Sequence, residues 1–188
     1  AMATEEPKIQ DELVFKDFVI RSYGPLLVAQ TEVDESFDEA GSKAFRILAD
    51  YIFGNNNSRT KIDMTAPVVQ QQNNSEKISM TAPVIQSSTD ASTHVVSFVM
   101  PSDMKPGDVP NPTGGVVSTR VVEPTNMAAI RFGGGWNEER FTGFAEKLVS
   151  SVKAAGLETV GEVQFARFDP PWKPGFLKHN EVLIEVNL

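Results

Sequence analysis

The chain has 188 residues, 25 acidic against 17 basic side chains, a net charge of −8, and no cysteine. An acidic chain without a run of Lys and Arg is a poor partner for nucleic acid or for an anionic membrane surface. The absence of cysteine excludes disulfides, thiolate ligands, a cysteine nucleophile and thioether attachment of a prosthetic group. An apolar fraction of 40% suits one folded domain, and no apolar run reaches the roughly 18 residues that a membrane-spanning helix needs.

Residues 1–12 are polar, carry no basic-then-apolar leader, and are expected to be a flexible segment before a single domain over 13–188. Ala1 before Met2 reads as an addition to the native start. Phe18, Ile20 and Ser22 alternate with Val19, Arg21 and Tyr23, and apolar residues resume at Leu26 after Gly24-Pro25; this predicts two short strands with a turn between them. Ser36 and Glu39 form a capping-box pattern, followed by Phe37, Ala40, Ala44, Leu48 and Ile52 at helical spacing, with Gly54 and an Asn run as the stop.

KIDMTAPVVQ (61–70) and KISMTAPVIQ (77–86) are near-copies, each with strand alternation interrupted by a proline. Met64 and Met80 hold equivalent places within the apolar sets, where core packing is the expected role. HVVSFVM (94–100) predicts another strand, and the loop over 101–115 separates two halves, about 13–100 and 116–188, that are each too small to bury a core alone. The second half repeats the outline. Two strands flank Glu123-Pro124-Thr125-Asn126. A helix follows, with Asn137 as N-cap, Phe141, Phe144, Ala145, Leu148 and Val152 on its apolar face, and Gly156 at its end. Two strands close the chain. The order strand-strand-helix-strand-strand, twice over, predicts an α+β domain with pseudo-duplicated halves. A curled antiparallel sheet with two helices outside it is the simplest packing.

YGPLLVAQTEV, the helix ending in YIFGNN, KIDMTAPV and the C-terminal FDPPWKPGFLKHNEVLIEV stand in this order, and together they resemble the SOUL haem-binding family over about residues 15–188. The doubled MTAPV is similar to the plant and algal branch. The resemblance implies a distorted eight-stranded antiparallel barrel flanked by two helices. It also implies non-covalent, reversible binding of haem or a related tetrapyrrole, as a carrier, buffer or sensor, in an apolar cleft near the first helix. Within it Phe45, Leu48 and Ile52 would line the cleft, Arg59, Lys61 and Lys173 would meet the propionates, and Trp172 in its Pro-rich loop would serve as a lid. A porphyrin has an apolar plane and two carboxylates, so apolar side chains with cations at the rim suit it. Ser22 stands where some animal members have a histidine proposed as an axial iron ligand, and serine cannot take that role.

Only two histidines are present. His179 shares parity with Glu181 and Glu185, a set that reads as solvent-facing, and His94 reads as a strand-edge residue; each is a candidate axial ligand for haem iron, since neutral imidazole is a common one, His179 ahead of His94. No nucleophile elbow, triad or metal motif is found, so no enzymatic activity is expected. The alternative function is a protein-interaction or effector-binding module that uses the same cleft for another ligand. The expected compartment is the cytoplasm, or a plastid if a transit peptide once preceded the chain. If the resemblance carries over residue by residue, glutamate at Arg59, Lys61 and Lys173 together weakens porphyrin binding in a spectroscopic titration; parent-like binding by that triple variant moves the site elsewhere.

Overall fold

The computed structural model describes residues 6–54, 56–57, 84–88, 93–101, 104–105, 107, 109–112, 115–135, 137–168 and 174–188. The described strands are β1 (Ile9–Val14), β2 (Val19–Tyr23), β3 (Leu26–Val33), β4 (Asn56–Asn57), β5 (Val84–Ser88), β6 (His94–Val99), β7 (Asn111–Pro112), β8 (Ser118–Val122), β9 (Thr125–Gly133), β10 (Glu158–Arg167) and β11 (His179–Asn187). The helices are α1 (Phe37–Ile52) and α2 (Glu138–Ala154), and a 3-10 turn covers Gly175–Leu177. Nine strands form one antiparallel sheet in the order β1-β2-β9-β11-β10-β5-β6-β3-β8, and β4 pairs with β7 apart from it. No helix among the described residues is long and apolar enough to cross a membrane.

The mixed α+β class with two helices agrees with the expectation. The eight-stranded barrel does not: the sheet has nine strands, and its edges β1 and β8 are not paired with each other. The extra strand is β1. It begins at Ile9, inside the segment 1–12 expected to be flexible, because residues 9–14 find a partner in β2 with a register break between Ile9 and Asp11. Its side chains are all exposed, which is why no apolar alternation announced it.

The two short links at Gly24-Pro25 and Glu123-Pro124 are not hairpin turns. β2 pairs with β1 and β9, whereas β3 pairs with β6 and β8. In the sheet order β2 and β3 stand six places apart, and so do β8 and β9. A flat sheet would separate them by about 29 Å at roughly 4.8 Å per strand. Two linking residues can span only about 11 Å between the flanking Cα atoms. The sheet must therefore curl until its two ends approach. Pro25 and Pro124 suit such corners, since neither can donate to a ladder. Bending is helped in β10, where the register with β11 shifts between Val160 and Gln164 and Gly161 adopts φ +72°, a bulge conformation costly for other residues.

Both helices pack on the outside of this curl. α2 is capped as expected, with the Asn137 side chain accepting from the Arg140 amide, and it ends at Gly156 with φ +79°. Its Phe141, Leu148 and Val152 bury against Phe18, Ile20, Ala128, Ile130, Val182 and Ile184 of the sheet. Phe132 stacks on Phe144 at 4.1 Å between ring centroids. Each fully buried side chain of this size stabilises by roughly 1.5–3 kcal/mol. α1 packs Ala40, Ala44, Leu48, Tyr51 and Ile52 onto Ala29, Val33, Val96 and Phe98. The Tyr51 hydroxyl donates to the Pro110 carbonyl at 2.6 Å, and the Asn56 amide donates to the Tyr51 carbonyl at 2.7 Å, closing the end of α1. The expected capping box is not formed. Ser36 makes no side-chain cap bond, and Glu35 rather than Glu39 binds a cation, Lys43, at 2.8 Å; that pairing lowers the pKa of the Glu35 carboxyl.

Leu148 is fully buried between α2 and the sheet. Leu148→Ala is expected to destabilise by about 2–5 kcal/mol in urea unfolding, whereas Val14→Ala at the exposed edge should change stability by less than about 0.5 kcal/mol. Equal effects would mean that α2 does not anchor the sheet.

Candidate functional site: a concave pocket with a buried ion triad

Strand periodicity sends alternate side chains of the central strands to opposite faces. On β2, β9 and β11, Ile20, Ala128, Ile130, Val182 and Ile184 face α2. The intervening residues Val19, Arg21, Tyr23, Met127, Ala129, Arg131, Glu181 and Leu183 face the inside of the curl. There they border a cavity of about 850 Å³ to which all nine strands of the sheet contribute. Its floor is apolar: Met127, Ala129 and Leu183 border it and form a buried cluster with Ala166 behind them, and Val19, Tyr23, Ile85 and Phe168 pack on that cluster.

One group interrupts this floor. Glu181 lies opposite Arg131 in the β9–β11 ladder, and its side chain is 1% exposed. Arg21 grips both of its oxygens, with Nη1 at 2.8 Å from Oε1 and Nη2 at 2.7 Å from Oε2. Arg131 Nε donates to the same Oε2 at 3.0 Å. Arg21 Nη1 also donates to the Tyr23 hydroxyl at 3.3 Å. The hydrogen bond to Glu181 holds the Arg21 guanidinium above its usual range against the opposing effect of burial. Burial pushes the Tyr23 phenol up, and the Arg21 bond only partly offsets this. Arg131 is half exposed and lies over the Phe168 ring, 4.7 Å from the centroid. One carboxylate thus serves two guanidiniums, and two exposed acids approach from the N-terminal side: Glu12 at 3.6 Å from Arg21 and Glu6 at 3.9 Å from Arg131.

The described residues expected to form the site lie elsewhere. Leu48 and Ile52 are 2% exposed in the contact between α1 and the sheet, and Phe45 is half-buried on α1. His94 is the first residue of β6, as expected. It is buried in β6 between Val33 of β3 and Ser88 of β5, on the parity of Val96 and Phe98 that faces α1. His179 is exposed at the start of β11, as expected. None of these five borders the cavity. Arg59, Lys61, Met64, Met80, Trp172 and Lys173 lie outside the described residues, as do the first repeat and all of the second but its last three residues, which open β5. Ser22 is committed to structure, its hydroxyl donating to Asn126 Oδ1 at 2.6 Å.

Glu181, read from parity as solvent-facing with His179, is the opposite: 0% exposed. The reason is the curl, which turns the charged face of β11 inward over a cavity. Arg21, Tyr23, Arg131 and Glu181 were missed for the same reason. The available signal was charge complementarity, since two arginines and one glutamate occupy the same parity of strands whose other parity carries no charge.

The comparisons match this architecture. A family model described as SOUL heme-binding protein matches residues 4–75 and 69–185, nearly the whole chain. The chain belongs to the SOUL heme-binding protein family. No curated protein gives a significant sequence match. Among solved structures, the EcmrR C-terminal domain is similar over 89% of this chain and 95% of its own, with a TM-score of 0.57 at 12% identity. An uncharacterized conserved protein from Listeria innocua is similar over 89% and 92%, with a TM-score of 0.56 at 11% identity. A protein from the same organism described as a hydrolase is similar over 89% and 91%, with a TM-score of 0.53 at 9% identity. At these identities the likeness is one of fold, so this SOUL family chain shares its architecture with proteins of several descriptions.

Removing Glu181 leaves the largely buried Arg21 without its partner. Glu181→Ala is expected to cost roughly 3–5 kcal/mol in chemical denaturation, and Glu181→Ala with Arg21→Met to recover part of that loss. Additive losses in the double variant would contradict a coupled triad.

Proposed function

We propose that this protein binds haem or a related tetrapyrrole, non-covalently and reversibly, within the concave face of its sheet, and acts as a carrier, buffer or sensor rather than as an enzyme. The observation that carries the reading is the cavity, combined with a family named for heme binding. At about 850 Å³ it falls within the roughly 300–1,000 Å³ of ordinary ligand pockets. Its apolar floor suits a flat macrocycle, and Arg21, Arg120, Arg131 and Lys16 border it as cations for carboxylates. When iron is bound in the macrocycle, the group supplies a Lewis-acidic metal centre. Among the described residues that border the cavity, Met127 and Tyr23 carry atoms able to ligate iron, and histidine is not among them. The fit is therefore to the macrocycle and its carboxylates more than to the metal.

The reading extends to the architecture. Exchanging β2, β3, β5 and β6 for β8, β9, β10 and β11 reverses the order of the eight strands beyond β1 and leaves it otherwise the same. This supports a duplicated origin, with the ligand between the two halves.

Hemin titration followed by visible absorption tests the proposal. Ala129→Trp, which fills the cavity floor, is expected to weaken binding by about ten-fold or more. Leu26→Trp on the half-buried wall gives the same test should the first variant lose its native circular dichroism. Glutamate at Arg59, Lys61 and Lys173 together should change affinity only a few-fold. The reverse pattern returns the ligand to the first helix, and the absence of saturable binding to the parent points to another ligand class.

A further inference from the structure

Arg131 is held on two sides and open on the third. Its Nε is fixed by Glu181 at 3.0 Å, and its face is fixed by Phe168. Among the described residues the Nη edge meets only Glu6, at 3.9 Å, which is beyond hydrogen-bond range, and the Glu6 side chain is 54% exposed. An exposed contact of this kind contributes little. Charge leads to the same place. Glu181 supplies one negative charge to two guanidiniums beside a mostly apolar floor, and the second guanidinium charge is faced only by the longer contacts of exposed acids among the described residues, Glu12 at 3.6 Å from Arg21 and Glu6 at 3.9 Å from Arg131. Asp17 and Glu185 also border the cavity, so the attraction for anions is local to the Arg131 edge and does not fill the whole pocket. A small free anion gains little there. A ligand that places an apolar body on the floor and a carboxylate at its edge gains both contacts.

Building on the concave site proposed above, we infer that Arg131 is the receptor for a ligand carboxylate, that Glu6 is the protein carboxylate this group displaces, and that the pocket therefore selects tetrapyrroles bearing a free acid over their esters. A pre-positioned guanidinium loses little freedom on binding, and a charge-assisted bond to a carboxylate is about twice as strong as a neutral one. The ester keeps the apolar body and the shape but cannot offer the charge.

The test uses protoporphyrin IX and its dimethyl ester, titrated by fluorescence into the full chain. The parent is expected to prefer the free acid by about ten-fold or more. Arg131→Gln should bring free-acid and ester affinities together, read as the ratio of the two within that variant, and Arg131→Lys, which keeps the charge but loses the fork, should give an intermediate ratio. Glu6→Gln should tighten free-acid binding a few-fold and leave the ester unaffected. A preference that persists in Arg131→Gln, or no preference in the parent, overturns the inference. The two failures are separable. If Ala129→Trp binds both compounds as the parent does, the concave site itself is wrong. If Ala129→Trp loses both while Arg131→Gln keeps the preference, the site stands and Arg131 is not its receptor.

Discussion

Two corners of two residues each, Gly24-Pro25 and Glu123-Pro124, decide the shape of this protein. Each joins strands that stand six places apart in the nine-stranded order, a separation no two-residue link can bridge in a flat sheet. The sheet is curled by covalent connection, with no hydrogen-bonded ladder between its edges β1 and β8 among the described residues. The consequences follow in order. The convex side has room for two helices and receives both. Among the described residues no helix lies on the concave side, and its inward side chains face one another across a cavity to which every strand of the sheet contributes.

A concave face that no helix covers could have been filled by large side chains. Here the floor is built from Met127, Ala129 and Leu183, and the carboxylate set into it, Glu181, is held by two arginines. A buried ion cluster is weak evidence for stability, because desolvation opposes most of the Coulombic gain. Its presence in the wall of the concave cavity suits a device for binding. The carboxylate fixes two guanidiniums in place and leaves one of them with an open edge. It also orients Tyr23 through Arg21. The strand that carries Glu12 and the segment that carries Glu6 lie along the same border, so β1 contributes acids to the mouth of the pocket without contributing to the core.

Much of the fold was legible in the residues. α2 could be read from Asn137 through Gly156 because cap, apolar stripe and stop all agree, and the strands β2, β6, β9 and β11 follow from their alternation. Family membership was legible from motifs in a fixed order. The errors share a physical cause, which is that parity tells which residues lie on the same face but not what that face meets. Glu181 and Glu185 alternate with apolar residues, as a solvent-facing set would, and only the curl shows that they look inward. β1 carries no burial signal, so its pairing was invisible. The Tyr-Gly-Pro turn read as a local reversal, because a corner that joins distant strands has the same local chemistry as one that joins neighbours. At the first helix, Leu48 and Ile52 are apolar because they hold α1 to the sheet, a demand that sequence alone cannot separate from lining a cleft.

The central claim is that the ligand lies inside the curl and not on the helical side. Ferric haem broadens the resonances of nearby nuclei, so amide NMR spectra recorded while hemin is added report its position directly. The account predicts selective broadening along β2, β9 and β11, at Arg21, Met127, Ala129 and Leu183, with the amides of α1 sharp at the same ratio. Broadening confined to α1 around Phe45, with the inner strands unaffected, would contradict it.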